Sequence, residues 1–543
     1  LDNCNWWHGA IIYQIYPRSF QDTNGDGIGD LPGIAQRLEY VASLGVDAVW
    51  ISPFFRSPMK DFGYDIADYR AVDPIFGTLA DFDALLAKAH ALGLKVMIDQ
   101  VLSHTSSEHA WFQESRTSRD NPRANWYVWA DPRADGGPPN NWLSIFGGVA
   151  WHWEPRRNQY YLHNFLVDQP DLNFHEPAVR RAMLDNVRFW LERGVDGLRL
   201  DAINFCFHDV LLRDNPPKSA EKRTGHGFRP DNPYAYQYHL YDNTQPENLV
   251  FLAQLRTVLD QYPGTVSLGE ISSENSTATM AEYTQAGRLH MAYSFELLGA
   301  DGSAAHIRKT VEREMAASPE GWPCWAISNH DVERVASRWG APDSPRHLPT
   351  QLTAVITSLR GAVCLYQGEE LGLGEAEVPF ELIQDPYGIA FWPNFKGRDG
   401  CRTPMPWDDS PNGSFTHARP WLPLPAPHLR QSVKLQEGDP CSPLHAMRGL
   451  LRWRKRYPAL VRGAIAFIDT PAKVLAFWRW VDGQRLLAVF NFCNSALTVT
   501  LAELHGVVPL EGHGLPAGTL TGAGLTLPAH GVFFGTCLVP DTV

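Results

Sequence analysis

The chain has 543 residues, enough for two or three domains and a large core. Charged residues make up 20% and apolar residues 44%, an ordinary globular balance, and the formal net charge of -13 argues against a nucleic-acid footprint. No apolar run reaches the length of a membrane span, and no basic segment followed by an apolar one marks a signal peptide at the start. The eight cysteines, Cys4 among them, lie apart without a CxxC pair, so neither zinc nor redox work is indicated. Their even number permits disulfides, but the scatter reads as reduced, cytoplasmic usage. The 19 Trp, 18 Tyr and 26 Phe suit either a large core or a cleft that stacks on sugar rings.

Eight short apolar runs read as strands, in the order IIYQIY (from Ile11), DAVWIS (Asp47), KVMIDQV (Lys95), GLRLDAI (Gly197), TVSLGE (Thr265), HMAYSFEL (His290), CWAISNHD (Cys324) and AVCLYQGEE (Ala362). Helical periodicity fills most gaps: PGIAQRLEYVASLG, TLADFDALLAKAHALG, EPAVRRAMLDNVRFWLERG, PENLVFLAQLRTVLDQYP, SAAHIRKTVEREMAAS and HLPTQLTAVITSLRG. Many have Pro near the start or Gly past the end. Strands alternating eight times with helices predict an α/β fold, a (β/α)8 TIM barrel. Two stretches break the alternation. Residues 104–174, rich in Trp, Asn, Pro and His, are too long for a loop and read as a small inserted domain after the third strand. Residues 208–247 form a polar excursion after the fourth strand. The barrel thus occupies 1–103 and 175–464. Beyond it, two alternating runs flank Asp482-Gly483, a hairpin signal, and 465–543 read as a C-terminal antiparallel β-sandwich without a catalytic role.

Three of the barrel runs lead into an acid: Asp201 closes GLRLD, Glu270 closes VSLGE, and Asp331 follows AISNH. Each alone reads as well as a helix cap, but at the C-terminal ends of barrel strands all three fall where catalysis takes place. Two carboxyl groups about 5 Å apart split a glycosidic bond with retention, one ionised and attacking, the other protonated and donating. Arg199 lies two residues before Asp201 and projects to the same side of the strand, so it is expected to keep Asp201 ionised. The apolar VSLG before Glu270 favours a neutral carboxyl. Asp331, beside Asn329 and His330, suits the binding of sugar hydroxyls.

At these residues the chain resembles glycoside hydrolase family 13, the α-amylase family. DQVLSHTS (from Asp99), GLRLDAINF (Gly197), SLGEIS (Ser267) and ISNHD (Ile327) look like its four core motifs in order. QPDLN (Gln169), YDIADYR (Tyr64) and GRDGCRTPMPWD (Gly397) resemble marks of its oligo-1,6-glucosidase and α-glucosidase branch. The resemblance implies Asp201 as nucleophile, Glu270 as acid/base and Asp331 as transition-state stabiliser. It implies Tyr64, His104, Arg199 and His330 around the cleaved glucose, and an Asp61–Arg398 ion pair at the non-reducing end. Phe146 and Phe165 are expected as aromatic walls. Such a closed pocket trims one glucose at a time.

The first motif carries Ser103 where the family commonly has a calcium-binding Asn, which puts the amylase-type site in doubt. A different site is expected at DTNGDGIGD. Asp22, Asn24, Asp26 and Asp30, with the carbonyl of Ile28, follow an EF-hand-like spacing, although the twelfth position is Gly33 rather than Glu. Structural Ca2+ is the first choice there and Mg2+ the second. No organic cofactor is implied. In the branch the chain resembles, Val after the nucleophile goes with α-1,6 and smaller or polar residues with α-1,4 preference, so the resemblance implies from Ala202 a preference for α-1,4 bonds, as in maltose. The implied partners are oligosaccharide substrates and hydroxyl acceptors for transglucosylation, in a cytoplasmic monomer or homodimer. Alternatives sharing the same acids are an oligo-1,6-glucosidase, a trehalose synthase or a sucrose-active relative.

Overall fold

A computed structural model describes residues 5–223, 232–341, 344–522 and 524–538; Cys4 and residues 224–231 of the polar excursion lie outside them. Eight strands form one parallel sheet: β1 (Ile11–Ile15), β2 (Ala48–Ile51), β3 (Lys95–Val101), β4 (Gly197–Asp201), β5 (Val266–Ile271), β6 (Met291–Ser294), β7 (Cys324–Ala326) and β8 (Ala362–Tyr366). They pair in the order β6-β5-β4-β3-β2-β1-β8-β7. A single parallel bridge between Ala292 of β6 and Pro323, just before β7, closes the ring. The strands are continuous apolar runs because both faces are covered, one by the barrel interior and one by helices.

Those helices include α1 (Leu31–Ser43), α2 (Leu79–Ala91), α3 (Pro177–Glu192), α4 (Asn248–Leu259), α5 (Ser276–Tyr283), α6 (Ala304–Ala317), α7 (Leu348–Ser358) and α8 (Pro443–Arg454). The six helical patterns of the sequence correspond to α1 to α4, α6 and α7. α5 escapes a periodicity reading because STATMAEY is short and holds little apolar character. α2 starts with a capping box, Thr78 accepting from the Asp81 amide while Asp81 accepts back from Thr78.

Between β3 and α3, strands Trp129–Ala130, Trp151–Glu154 and Gln159–Leu162 form a small antiparallel sheet. After α8 the chain builds two antiparallel sheets, one of five strands and one of three. The expected hairpin turns at Asp482 and Gly483, both with positive φ (48° and 76°). Two fully buried guanidiniums lie where this region meets the barrel, and Arg479 spans the two. Arg479 donates to the carbonyls of Ser358, Leu460, Gly463 and Ala464, and Arg454 to those of Thr357, Gly9 and Leu460. Thr357 and Ser358 end α7, where carbonyls lack helical partners and the helix dipole favours a cation.

Candidate active site

The C-terminal ends of the barrel strands gather the acids. Asp201 is the last residue of β4, Glu270 lies near the end of β5, and Asp331 follows β7. β4 stops because Ala202 adopts a left-handed conformation, φ 41° and ψ 43°. That conformation costs an L-residue roughly 1 kcal/mol. It turns the Ala202 amide toward Glu270, whose Oε2 accepts from it at 3.2 Å.

Arg199 is the hub beneath them, with no exposed surface. It donates to Asp99 at 2.9 and 3.1 Å and to Asp201 at 2.6 Å, and it ion-pairs with Glu270. Its other partner, the Tyr293 hydroxyl at 2.9 Å, donates in turn to Glu270 at 3.0 Å. The guanidinium lies over Trp50, whose indole N–H and the Tyr64 hydroxyl both donate to Asp99. One cation thus faces three carboxylates, Asp99 and Glu270 buried and Asp201 nearly so on the cavity wall. Burial pushes Asp201 up to about 7 against the pull of Arg199, and Asp99 adds to the rise. Burial likewise pushes Glu270 up to about 7, opposed by Arg199 and helped by Asp201. Arg199, expected to keep Asp201 ionised, does pull it toward the charged form, while burial pulls the other way. The pull is real, but a single guanidinium cannot offset the desolvation of three acids.

Asp331 has a different surrounding. Burial works against its charge, yet His330, Arg398 and Arg402 hold it well below the usual carboxylate range. Arg398 and Arg402 donate to Oδ1 at 3.1 and 2.9 Å. Burial pushes His330 itself down to about 3, so at neutral pH the two guanidiniums carry the effect. The His330 tautomer follows from its partners. Nδ1 accepts from the Gln14 amide at 2.8 Å, which leaves Nε2–H facing Asp331 at 3.3 Å.

Arg398 also donates to Asp61 at 2.9 Å, and Gln169 donates to the other Asp61 oxygen at 3.2 Å. The His104 Nε2–H donates to the Tyr64 carbonyl at 3.1 Å. The Ser103 hydroxyl lies 3.0 Å from Nδ1. Ser103, the departure from the family pattern, is thus a neighbour of the site histidine. The Tyr64 and His330 rings stack at 5.2 Å.

These groups line one common cavity at the C-terminal end of the barrel. Asp61, Tyr64, His104, Phe146, Phe165, Asp201, Glu270, His330, Asp331 and Arg398 are all on its wall. Arg199 is not, because its acidic and aromatic partners enclose it completely. The apolar side consists of Ile145, Phe146, Phe165, Phe205 and Phe295. Sequence reading passed over Asp99, Gln169 and Arg402, although each stands inside a motif that carried the resemblance. It also passed over Gln14, Tyr293 and Asp385, which no strand-end or motif signal marks.

The predicted metal residues are oxygen donors throughout, and that chemistry fits calcium or magnesium. Their oxygens engage the loop itself. Asp22 accepts from the amides of Asn24, Gly25 and Gly27, while Asp30 accepts from Thr23 and caps α1 through Gly33. Asn24 and Asp26 accept from the amides of Asp26 and Ile28. Among the described residues no three His, Cys, Asp or Glu side chains converge as a group that would hold a metal ion. Among the same residues no helix is long and apolar enough to cross a membrane.

Comparison with known proteins gives one family. The profile of the α-amylase catalytic domain matches residues 14–463. A probable α-glucosidase of Rhizobium meliloti (strain 1021) is 56% identical over 535 residues, covering 98% of this chain and 97% of that protein. An oligo-1,6-glucosidase of Parageobacillus thermoglucosidasius is 37% identical over 534 residues, covering 92% of each. The crystal structure of an α-glucosyl transfer enzyme, XgtA, superposes with a TM-score of 0.97 at 65% identity, covering 98% of this chain and 99% of that one. The trehalulose synthase MutB of Pseudomonas mesoacidophila MX-45 gives 0.88 at 33% identity, with 98% and 99% covered. The eight-stranded barrel, the acids at its strand ends and these matches agree: the chain is a glycoside hydrolase of the α-amylase family, in its α-glucosidase and oligo-1,6-glucosidase branch.

Proposed function

We propose that the protein is a retaining, exo-acting α-glucosidase. It removes the non-reducing terminal glucosyl unit from short α-1,4-linked substrates such as maltose and passes it to water or to a sugar or alcohol hydroxyl. The observation that carries this reading is the pairing of two differently shared acids on Arg199 with an Arg398–Asp61 bridge across the pocket wall. In the first step an Asp201 oxygen attacks the anomeric carbon while Glu270 gives its proton to the leaving oxygen. The bond to the aglycone breaks and an ester to Asp201 forms. In the second step Glu270, now ionised, takes a proton from water or an acceptor hydroxyl, whose oxygen displaces Asp201. Asp331, held ionised by two guanidiniums, accepts hydrogen bonds from the ring hydroxyls, and the neutral His330 Nε2–H donates to them.

Similarity to an α-glucosyl transfer enzyme supports transfer beside hydrolysis. The apolar Phe205 and Phe295 on the cavity wall suit an acceptor with an apolar face. The small Ala202 beside Asp201 favours α-1,4 over α-1,6 bonds. A proton NMR time course on maltose with an added small alcohol tests the whole reading. An alkyl α-glucoside is expected, because transfer locks the configuration of the non-reducing unit. An alkyl β-glucoside sinks retention, and faster cleavage of isomaltose than of maltose sinks the linkage preference.

We also propose calcium at the Asp22–Asp30 loop, with Asp22, Asn24, Asp26, Asp30 and the Ile28 carbonyl as ligands. There the ion would fix the entry to α1 and stabilise the fold. The thermal midpoint is expected to fall by several degrees in EGTA and to return with excess Ca2+. An unchanged midpoint through both additions removes the proposal.

A further inference from the structure

Arg398 could pair in several ways, because Asp61 and Asp331 both lie within its reach and both face the cavity. What selects one geometry is a third acid that faces no cavity. Asp385 has no exposed surface. Its Oδ2 accepts from the Arg398 backbone amide at 2.7 Å and from Nε at 3.0 Å, and its Oδ1 accepts from Nη2 at 2.8 Å. That bidentate fork occupies the outer edge of the guanidinium and fixes its plane. The N–H groups left over are the ones that reach Asp61 and Asp331. Asp385 is itself anchored: its backbone amide and that of Gln384 donate to the fully buried Asp399. It is also the N-cap of a short helix, accepting from the Tyr387 amide at 3.2 Å. Tyr387 lies on the cavity wall, its ring 5.2 Å from Phe146, and its hydroxyl accepts from Asn232 at 2.8 Å. The Arg398 guanidinium lies over Phe146 on the same side.

We propose that Asp385 is the positioning residue of the pocket. It contacts no substrate, but by holding the outer edge of Arg398 and the first turn that carries Tyr387 it decides that Arg398 bridges Asp61 and Asp331 instead of collapsing onto Asp331. The proposal rests on the exo reading above, since closure of the non-reducing end is what the bridge provides. In Asp385→Asn one of the two acceptor oxygens becomes an N–H2 group facing Arg398 donors. The fork cannot form, and Arg398 is free to pair with Asp331 alone.

The experiment is a double-mutant cycle of Asp385→Asn and Arg398→Ala on the full chain. Maltose is compared with a maltoside whose terminal 4- and 6-hydroxyls are blocked by an acetal. Asp385→Asn is expected to lower kcat/KM for maltose on the order of 100-fold, mainly through KM, and to narrow the discrimination against the blocked substrate. The double variant is expected to match Arg398→Ala within about twofold, because Asp385→Asn keeps an N-cap acceptor for Tyr387 and loses only the hold on Arg398. Losses that multiply, or an Asp385→Asn enzyme with wild-type KM and discrimination, overturn the proposal. Asp385→Ser keeps an N-cap acceptor for Tyr387 without the fork, and it meets the same criterion should the Asn variant fold poorly. The exo reading fails separately, if Arg398→Ala discriminates against the blocked substrate as well as the wild type does.

Discussion

Asp201→Asn is expected to lower kcat for maltose by about 10⁴-fold or more while KM changes little. The carboxamide has no charge to deliver to the anomeric carbon, so the ester cannot form and the reaction loses its two-step path. Binding survives, because the Asn oxygen still accepts from Arg199 and the remaining pocket groups are untouched. The substitution has a second consequence. Asp201 is one of the charges that raise Glu270, so its removal lowers the Glu270 pKa from about 7 toward the ordinary range. Steady-state kinetics on maltose and a pH titration of Glu270 check the two parts. Residual turnover within about 100-fold of wild type removes Asp201 from the nucleophile's place.

Glu270→Gln is expected to cost about 10²- to 10⁴-fold on maltose but far less on an aryl glucoside whose leaving group needs no proton. With such a substrate the first step proceeds and the second stalls, so glucosyl-enzyme accumulates. Azide, which needs no general base, then releases it as α-glucosyl azide. The pH profile carries the same information. Productive Glu270 is protonated, and its pKa is raised to about 7. Wild-type kcat/KM therefore falls as pH rises through that value, and in Glu270→Gln this alkaline limb vanishes. Asp331 remains ionised throughout, since its pKa is held well below the usual range. An alkaline limb that persists in the Gln variant, or failure of azide to accelerate it, assigns the acid/base role elsewhere.

The barrel was legible because its signals are local. Each strand is a run of three to seven mostly apolar residues that needs cover on both faces, and the helices between carry their own caps. The acids were legible for the same reason: Asp201, Glu270 and Asp331 interrupt or follow apolar runs, so each stands out against its own neighbours. α5 was missed because STATMAEY, five of its eight residues Ser, Thr or Ala, carries too weak a pattern, and its place comes from packing beside β6. Asp385 was missed because nothing near it in sequence marks it. Its partner Arg398 is 13 residues away, and the pair means something only where the loop folds back.

By itself the sequence determined which residues could do chemistry and in what order they would stand around a barrel, because strand periodicity and acid placement are written within a few residues of each other. Only the tertiary structure decided their electrostatic state. The sequence set Arg199 beside Asp201 and implied one ionised acid. Folding brought Asp99 and Glu270 from strands on either side of β4 onto the same guanidinium, with 0% and 6% of their surfaces exposed. Charge interactions depend on distance and burial, which chain order does not encode. The same holds for Asp61, Asp331 and Asp385, separated by hundreds of residues at the extremes and joined by one arginine into the wall of a pocket.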